Sequence, residues 1–183
     1  MDNLHQLLLE RHSIRRYTDR PISADDVKTI MQAALLSPTS KSKRPWRFVI
    51  VEDRDTLTAL SACKSAGAVS LKGCMLAVAV LADPADSDMY LEDCAIAAEM
   101  MQLQAAALGI GSCWVQVRDR FTADGQSAPD IVREILGIPD NYEVECIMTF
   151  GYSAETRKPV DPDKLQWEKV YIGRWTDRPV ADE

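Results

Sequence analysis

The chain has 183 residues, of which 46% are hydrophobic and 27% charged, with a formal net charge of -7 and a pI near 4.9. That length and composition suit one well-buried core in an ordinary soluble domain and speak against disorder. The acidic balance argues against a nucleic-acid partner, which needs a basic face, and against anionic membrane surfaces.

In chain order, Leu4, Leu7 and Leu8 recur at helical spacing and predict a short amphipathic helix over 3–11. No basic n-region with a long apolar core precedes it, so no signal peptide is expected, and no window approaches the length of a membrane span. Arg11 to Tyr17 then gathers three guanidinium groups and a hydroxyl into seven residues. A guanidinium fork suits phosphate oxygens, and Ser13 can complete the cradle. The same composition also fits a solvated basic patch. Arg20-Pro21 breaks the chain, Ser23 with Asp26 resembles a capping box, and Val27, Ile30, Met31 and Ala34 give a helix over about 24–36. Residues 37–45 form a polar, Pro-flanked loop that faces a ligand or simply connects.

Trp46 to Glu52 reads as a strand apolar on both sides, hence buried on two faces. Asp55 to Cys63 reads as a short helix, and 64–73 carries no assignable pattern. Cys74 to Ala82 is a near-continuous apolar run, a central strand ended by Asp83-Pro84. From Met89 to Leu108 an apolar pattern goes nearly all the way round a helix, which asks for cover on most sides. A second subunit supplies it in a homodimer packed around this helix; a wholly internal helix in a monomer is the alternative. Gly109 suits the C′ position, and Ile110 to Val117 is a strand whose Gly111 suggests close approach of another group. Ile131 to Leu136 is a short helix, Val144 to Phe150 a strand closed by Gly151, and the tail from Tyr152 keeps enough aromatics to wrap over a surface. With no repeat or linker, 1–183 reads as a single domain.

Candidate chemistry is sparse. Cys63, Cys74, Cys94, Cys113 and Cys146 are odd in number, widely spaced and in apolar settings, so they read as reduced, buried thiols in a cytoplasmic protein. No pair has metal-ligand spacing, and with His5 and His12 the only histidines a His-rich metal site is not expected. There is no G-x-S-x-G, P-loop or H-E-x-x-H, and Gly109-Ile110-Gly111 follows a helix, the wrong context for a dinucleotide fingerprint. Cys113 reads as a structural thiol. Any reaction therefore needs a cofactor to carry it.

Four stretches resemble the nitroreductase family of flavin-dependent oxidoreductases. Arg11-His12-Ser13 with Arg15 is similar to its R-x-S-x-R/K motif, and Ser37 to Ser40 with Pro45-Trp46 resembles its A-P-S-S-x-N-x-Q-P-W loop. Asp93 to Trp114 resembles the central helix and following strand, and Phe150 to Tyr152 with Arg157-Lys158-Pro159 and Trp167 to Val170 resembles the C-terminal segment of shorter members. The resemblance implies an α+β fold, a mostly antiparallel sheet flanked by helices, in an intertwined homodimer with FMN sites at its interface.

By the same resemblance, Arg11, Ser13 and Arg15 would hold the phosphate and ribityl end of FMN, with contacts from His12. Pro38, Thr39, Ser40 and Ser42 would approach it from the other subunit, Gln116 and Val117 would lie near the ring, and Arg157 and Lys158 would return to the phosphate. The tail, about 152–183, would extend over the partner. Three positions depart from the family pattern: Ser42 and Arg44 in place of the loop's Asn and Gln, and Met100 in place of the helix's frequent Asn. The implied activity is hydride transfer from NADH or NADPH through FMN to an electron-poor acceptor such as a nitroaromatic or quinone. Alternatives are a non-catalytic dimer binding FMN or another phosphorylated ligand, and a specialised flavin enzyme of the same fold.

Overall fold

The structure is a computed structural model that describes residues 3–175. These fall into two compact units, one over 11–156 and one in which 3–10 joins 157–175.

The larger unit is built on a four-stranded sheet of order β1-β2-β4-β3, antiparallel throughout, with β1 at Trp46–Val51, β2 at Leu76–Ala82, β3 at Gly111–Gln116 and β4 at Glu143–Gly151. β2 is buried at every position, as its unbroken apolar run requires of a strand covered on both faces. On one face Leu76, Val78, Val80 and Ala82 join Met148 and Phe150 beneath α2 (Ala24–Leu35) and α5 (Tyr90–Ala107). On the other, Ala77, Ala79 and Leu81 join Val115 and Ile147 under residues of α3 (Arg54–Leu60), α4 (Val69–Gly73) and α6 (Ala128–Leu136).

Local signals place the helix ends. The Ser23 hydroxyl accepts the Asp26 N–H at 3.1 Å and donates to the Asp26 carboxylate at 2.7 Å, which fixes the start of α2. At the end of α5, Gly109 adopts φ 71°, its N–H bonds to Ala106 O at 3.0 Å, and the Ile110 N–H bonds to Ala105 O at 2.8 Å. This is a complete Schellman closure, which needs a left-handed residue and so favours glycine.

The structure corrects the expectation for β1. Ile50 is 46% exposed and Phe48 and Val49 are half-buried, because β1 lies at the sheet edge and not between two strands. The unassigned stretch 64–73 contains α4, the helix expected from Ile131 begins a turn earlier, and Gly151 lies inside β4 rather than beyond it.

All five cysteines are free and buried. Burial pushes the Cys74 and Cys94 thiols up to about 12 and raises that of Cys146 well above its ordinary value. The unfolded chain therefore releases thiol protons near the ordinary value of 9.0 that the folded chain retains. Fewer protons are bound by the unfolded state in this window, so these thiols lower stability as pH rises from about 9 towards 12. Thiol titration with a chromogenic disulfide at pH 8 is expected to be slow in the native protein and to reach all five sites in denaturant.

In the smaller unit, α1 (Asn3–Glu10) is joined to the tail by the Val160 N–H, which bonds to Leu9 O at 2.8 Å. Two 3-10 turns follow, at Pro162–Lys164 and Trp167–Lys169, and the Tyr171 and Trp175 rings stack at 4.6 Å. The end of the tail expected to wrap over a surface, 176–183, lies outside the described residues.

Candidate functional site

The basic arm of residues 11–17 is held in place by backbone bonds on two sides. Ser13 bridges Ser112 in parallel and the Ile14 N–H bonds to Ser112 O at 2.9 Å, so the arm runs along the outer edge of β3. On its other side Tyr17 bridges Ser153, the Thr18 N–H bonds to Tyr152 O at 2.8 Å, and the Arg15 N–H bonds to the Glu155 carboxylate at 3.1 Å.

Two glycines make room for it. Gly111 and Gly151 face each other across β3 and β4. A Cβ on Gly111 would lie 2.9 Å from Ile14, and one on Gly151 would lie 2.8 Å from the Tyr17 ring. That ring is locked in turn, its hydroxyl donating to Ile14 O at 2.6 Å and sharing a 2.8 Å bond with the Thr149 hydroxyl. Its burial raises the phenol's pKa, so it stays protonated and able to donate.

The arm delivers charge to the β3 edge. Cys113 is buried, and burial pushes its thiol up. Against that shift act the Arg15 guanidinium, a hydrogen bond from Ser70 and the Lys64 ammonium. Lys64 donates to Gln116 O at 2.7 Å, and its partial desolvation lowers its pKa. Two cations and the Ser13 backbone thus lie along one strand edge, while Arg11 and His12 are half-buried at the start of the arm. Lys64 belongs to a stretch with no periodic signal, and nothing in the sequence links it to β3.

Gln116 and Val117 differ in what they present. A strand residue turns its N–H and C=O to the same side. The Val117 N–H is committed to Glu145 O at 3.3 Å, inside the sheet. The Gln116 carbonyl receives Lys64 at the open edge, so its N–H faces that edge too. The Gln116 side chain is engaged, accepting from Trp114 Nε1 at 2.8 Å and donating to Arg118 O and Glu145 O. Its backbone is therefore what it can offer a ligand. Glu145, at a break in the β2–β4 register, also pairs with Arg118 Nε at 2.7 Å.

The loop of Pro38, Thr39, Ser40 and Ser42 lies between α2 and β1, with a 3-10 turn at Ser40–Ser42. The Ser40 N–H bonds to a carboxylate oxygen of Asp93, on α5, at 2.8 Å, and the Arg44 N–H bonds to Thr39 Oγ1 at 3.1 Å. These bonds tie the loop to α5 and to itself. Arg157 and Lys158 are exposed at the start of the tail segment in the smaller unit. Met100 is half-buried on α5, and Ser42 and Arg44 are exposed.

The fold has close counterparts among solved structures. An FMN-dependent nitroreductase from Clostridium difficile R20291 superposes with a TM-score of 0.91 at 41% identity, over 93% of this chain and 99% of that one. A Parabacteroides distasonis protein, provisionally named NADH dehydrogenase/NAD(P)H nitroreductase, gives 0.86 at 27% identity, over 96% and 100%. The architecture is thus the α+β nitroreductase fold.

At the sequence level the Nitroreductase family model matches residues 8–70 and 73–152. A protein of Archaeoglobus fulgidus with the same provisional name is 35% identical over 180 residues, 96% of this chain and all of its own length. The chain belongs to the nitroreductase family.

Proposed function

We propose that this protein is an FMN-dependent oxidoreductase that passes a hydride from NADH or NADPH to an electron-poor acceptor such as a nitroaromatic or a quinone. The observation that carries this reading is the arm's seat on the β3 edge, which lines up Arg15, Lys64 and the outward backbone of Gln116 in one unit. This donor set suits a ligand with a phosphate tail and a ring that gains negative charge: guanidinium forks for the phosphate, an ammonium and a strand N–H for the ring. The names of the Clostridium difficile structure and the Archaeoglobus fulgidus relative support it.

Arg11, Ser13 and Arg15, with His12, would hold the phosphate and ribityl end, and Arg157 and Lys158 would add positive charge there. Gln116, through its backbone, would border the ring, whereas Val117, wholly buried in the core with its N–H on Glu145 O, would only hold that strand end in place. Pro38, Thr39, Ser40 and Ser42 would come from a second copy, so that a homodimer carries two equivalent sites and 1–183 works as one FMN-binding domain. Bound FMN would supply the hydride acceptance and donation. The chain contributes no acid or base to that exchange. Its residues anchor an anion, shield the ring and place positive charge beside it. Buried, reduced thiols fit a cytoplasmic setting, and no helix among the described residues is long and apolar enough to cross a membrane.

Purified protein is expected to show a flavin absorption spectrum, to release FMN on denaturation, and to oxidise NADH or NADPH when a nitroaromatic or quinone is supplied. Arg11→Ala removes a charge-assisted contact worth about 1.5–3 kcal/mol, so FMN should bind roughly ten- to hundredfold more weakly. Colourless protein that binds no added FMN would defeat the reading, and unchanged affinity in Arg11→Ala would defeat the phosphate assignment.

A further inference from the structure

Asp93 lies in the first turn of α5 and is 2% exposed. One carboxylate oxygen accepts the Ser40 N–H at 2.8 Å, and the other, buried, meets no donor among the described residues. A carboxylate so placed costs stability, since burial without full hydrogen bonding penalises a charged group. The residue it holds opens a loop whose backbone is also costly. Lys41, Ser42 and Arg44 have φ of 50°, 53° and 50°, a left-handed conformation that side chains with a Cβ disfavour. Three such residues within four positions persist only if something outside the loop fixes it. Asp93 provides that fixed point at the loop's entry, and the Thr39 hydroxyl closes it onto Arg44.

We infer that Asp93 is a positioning residue: its bond to Ser40 holds the 39–44 loop in its left-handed form, and that form sets the affinity for FMN. This rests on the flavin reading above, in which the loop borders the cofactor. Asp93 acts through Ser40, and what the loop needs from it is the acceptor oxygen on the Ser40 N–H. An asparagine could keep an acceptor oxygen on Ser40 while removing the charge, whereas alanine removes both.

Limited trypsin digestion of the full-length protein, with fragments assigned by mass spectrometry, reads the loop without the cofactor. Cleavage after Lys41 and Lys43 reports its posture, and Arg44 is shielded by the following Pro45. Asp93→Ala should be cut there about tenfold faster than wild type and should bind FMN about tenfold more weakly. Asp93→Asn should restore both values, with thermal stability equal to or above wild type. Ser40→Pro deletes the donor and leaves the carboxylate in place. Thr39, at φ -138° and ψ 154°, already has the extended backbone that a following proline requires. This variant should be cut as fast as Asp93→Ala and carries the test if Asp93→Ala fails to fold. Wild-type cleavage rates in both Asp93→Ala and Ser40→Pro would overturn the anchor. Faster cleavage with unchanged FMN affinity would overturn the link between loop posture and cofactor. Wild-type protein that binds no FMN would overturn the flavin reading and that link together, and the cleavage comparison would still decide the anchor.

Discussion

Replacing Gly151 with alanine is expected to unseat the basic arm and to lower both stability and FMN affinity. The new methyl would lie 2.8, 2.9 and 3.0 Å from three atoms of Tyr17. The ring cannot swing away without breaking the bonds of its hydroxyl to Ile14 O and to Thr149. Nor can the backbone absorb the change easily, because the Thr18 N–H and the Ser153 bridge fix the arm beside it. Overpacking of this kind costs about 1–3 kcal/mol, or roughly 2–12 °C in Tm for a chain of this size.

Gly111→Ala should act similarly, since its methyl would lie 2.9 Å from two atoms of the β-branched, buried Ile14. Neither glycine has a positive φ, so the effect is steric and should grow from alanine to valine. In a double-mutant cycle with Tyr17→Ala, the Gly151→Ala substitution should cost less than in wild type, because only the Cβ of residue 17, at 3.0 Å, is left for the methyl to meet. A Gly151→Ala protein with wild-type Tm and wild-type FMN affinity would show that the arm does not depend on this seat.

Much of the core was legible because its signals are local. The apolar run of β2 needs no partner to be recognised, Gly109 after a long apolar helix marks a left-handed closure, and Ser23 three residues before Asp26 marks a helix start. What escaped depends on contacts between distant residues. β1 has the composition of an inner strand, and only the strand order puts it at the edge and exposes Ile50. Lys64 reads as one cation in a featureless stretch until the fold sets it against Gln116. Asp93 reads as an ordinary acidic residue near a helix start, and its role appears only when Ser40, 53 positions earlier, meets it. The site shows the same division. The arm's residue types stand out in sequence, whereas the contrast between Gln116 and Val117 is set by which side of β3 pairs with β4. The pairing of Gly111 with Gly151 is likewise a matter of register.

Ile96→Arg is expected to turn the proposed dimer into a monomer and to strip it of FMN. Along α5, Cys94, Ala97, Ala98, Met101 and Ala105 are buried within the larger unit. On the other side an apolar strip remains without full cover, Ile96 at 40% exposure with the half-buried Met100 and Leu103, and the exposed Glu92 and Glu99 lie beside it. An apolar face of this kind on an otherwise charged surface marks an association site, and the two sites proposed above require a second copy. In a two-fold interface each position occurs twice, so one substitution places two guanidinium groups in the same contact. Forcing two bulky, hydrated guanidinium groups into a packed contact, even with Glu92 and Glu99 on the same helix within reach, costs about 1–3 kcal/mol, which raises the dissociation constant roughly five- to hundredfold. Light scattering at micromolar concentration should report a monomer, with FMN lost because Pro38 to Ser42 of a second copy can no longer reach the arm. Ile96→Val keeps the face apolar and should remain dimeric with FMN bound. An Ile96→Arg protein that stays dimeric would place the interface elsewhere, and a monomer that still binds FMN with wild-type affinity would confine the whole cofactor site to one chain.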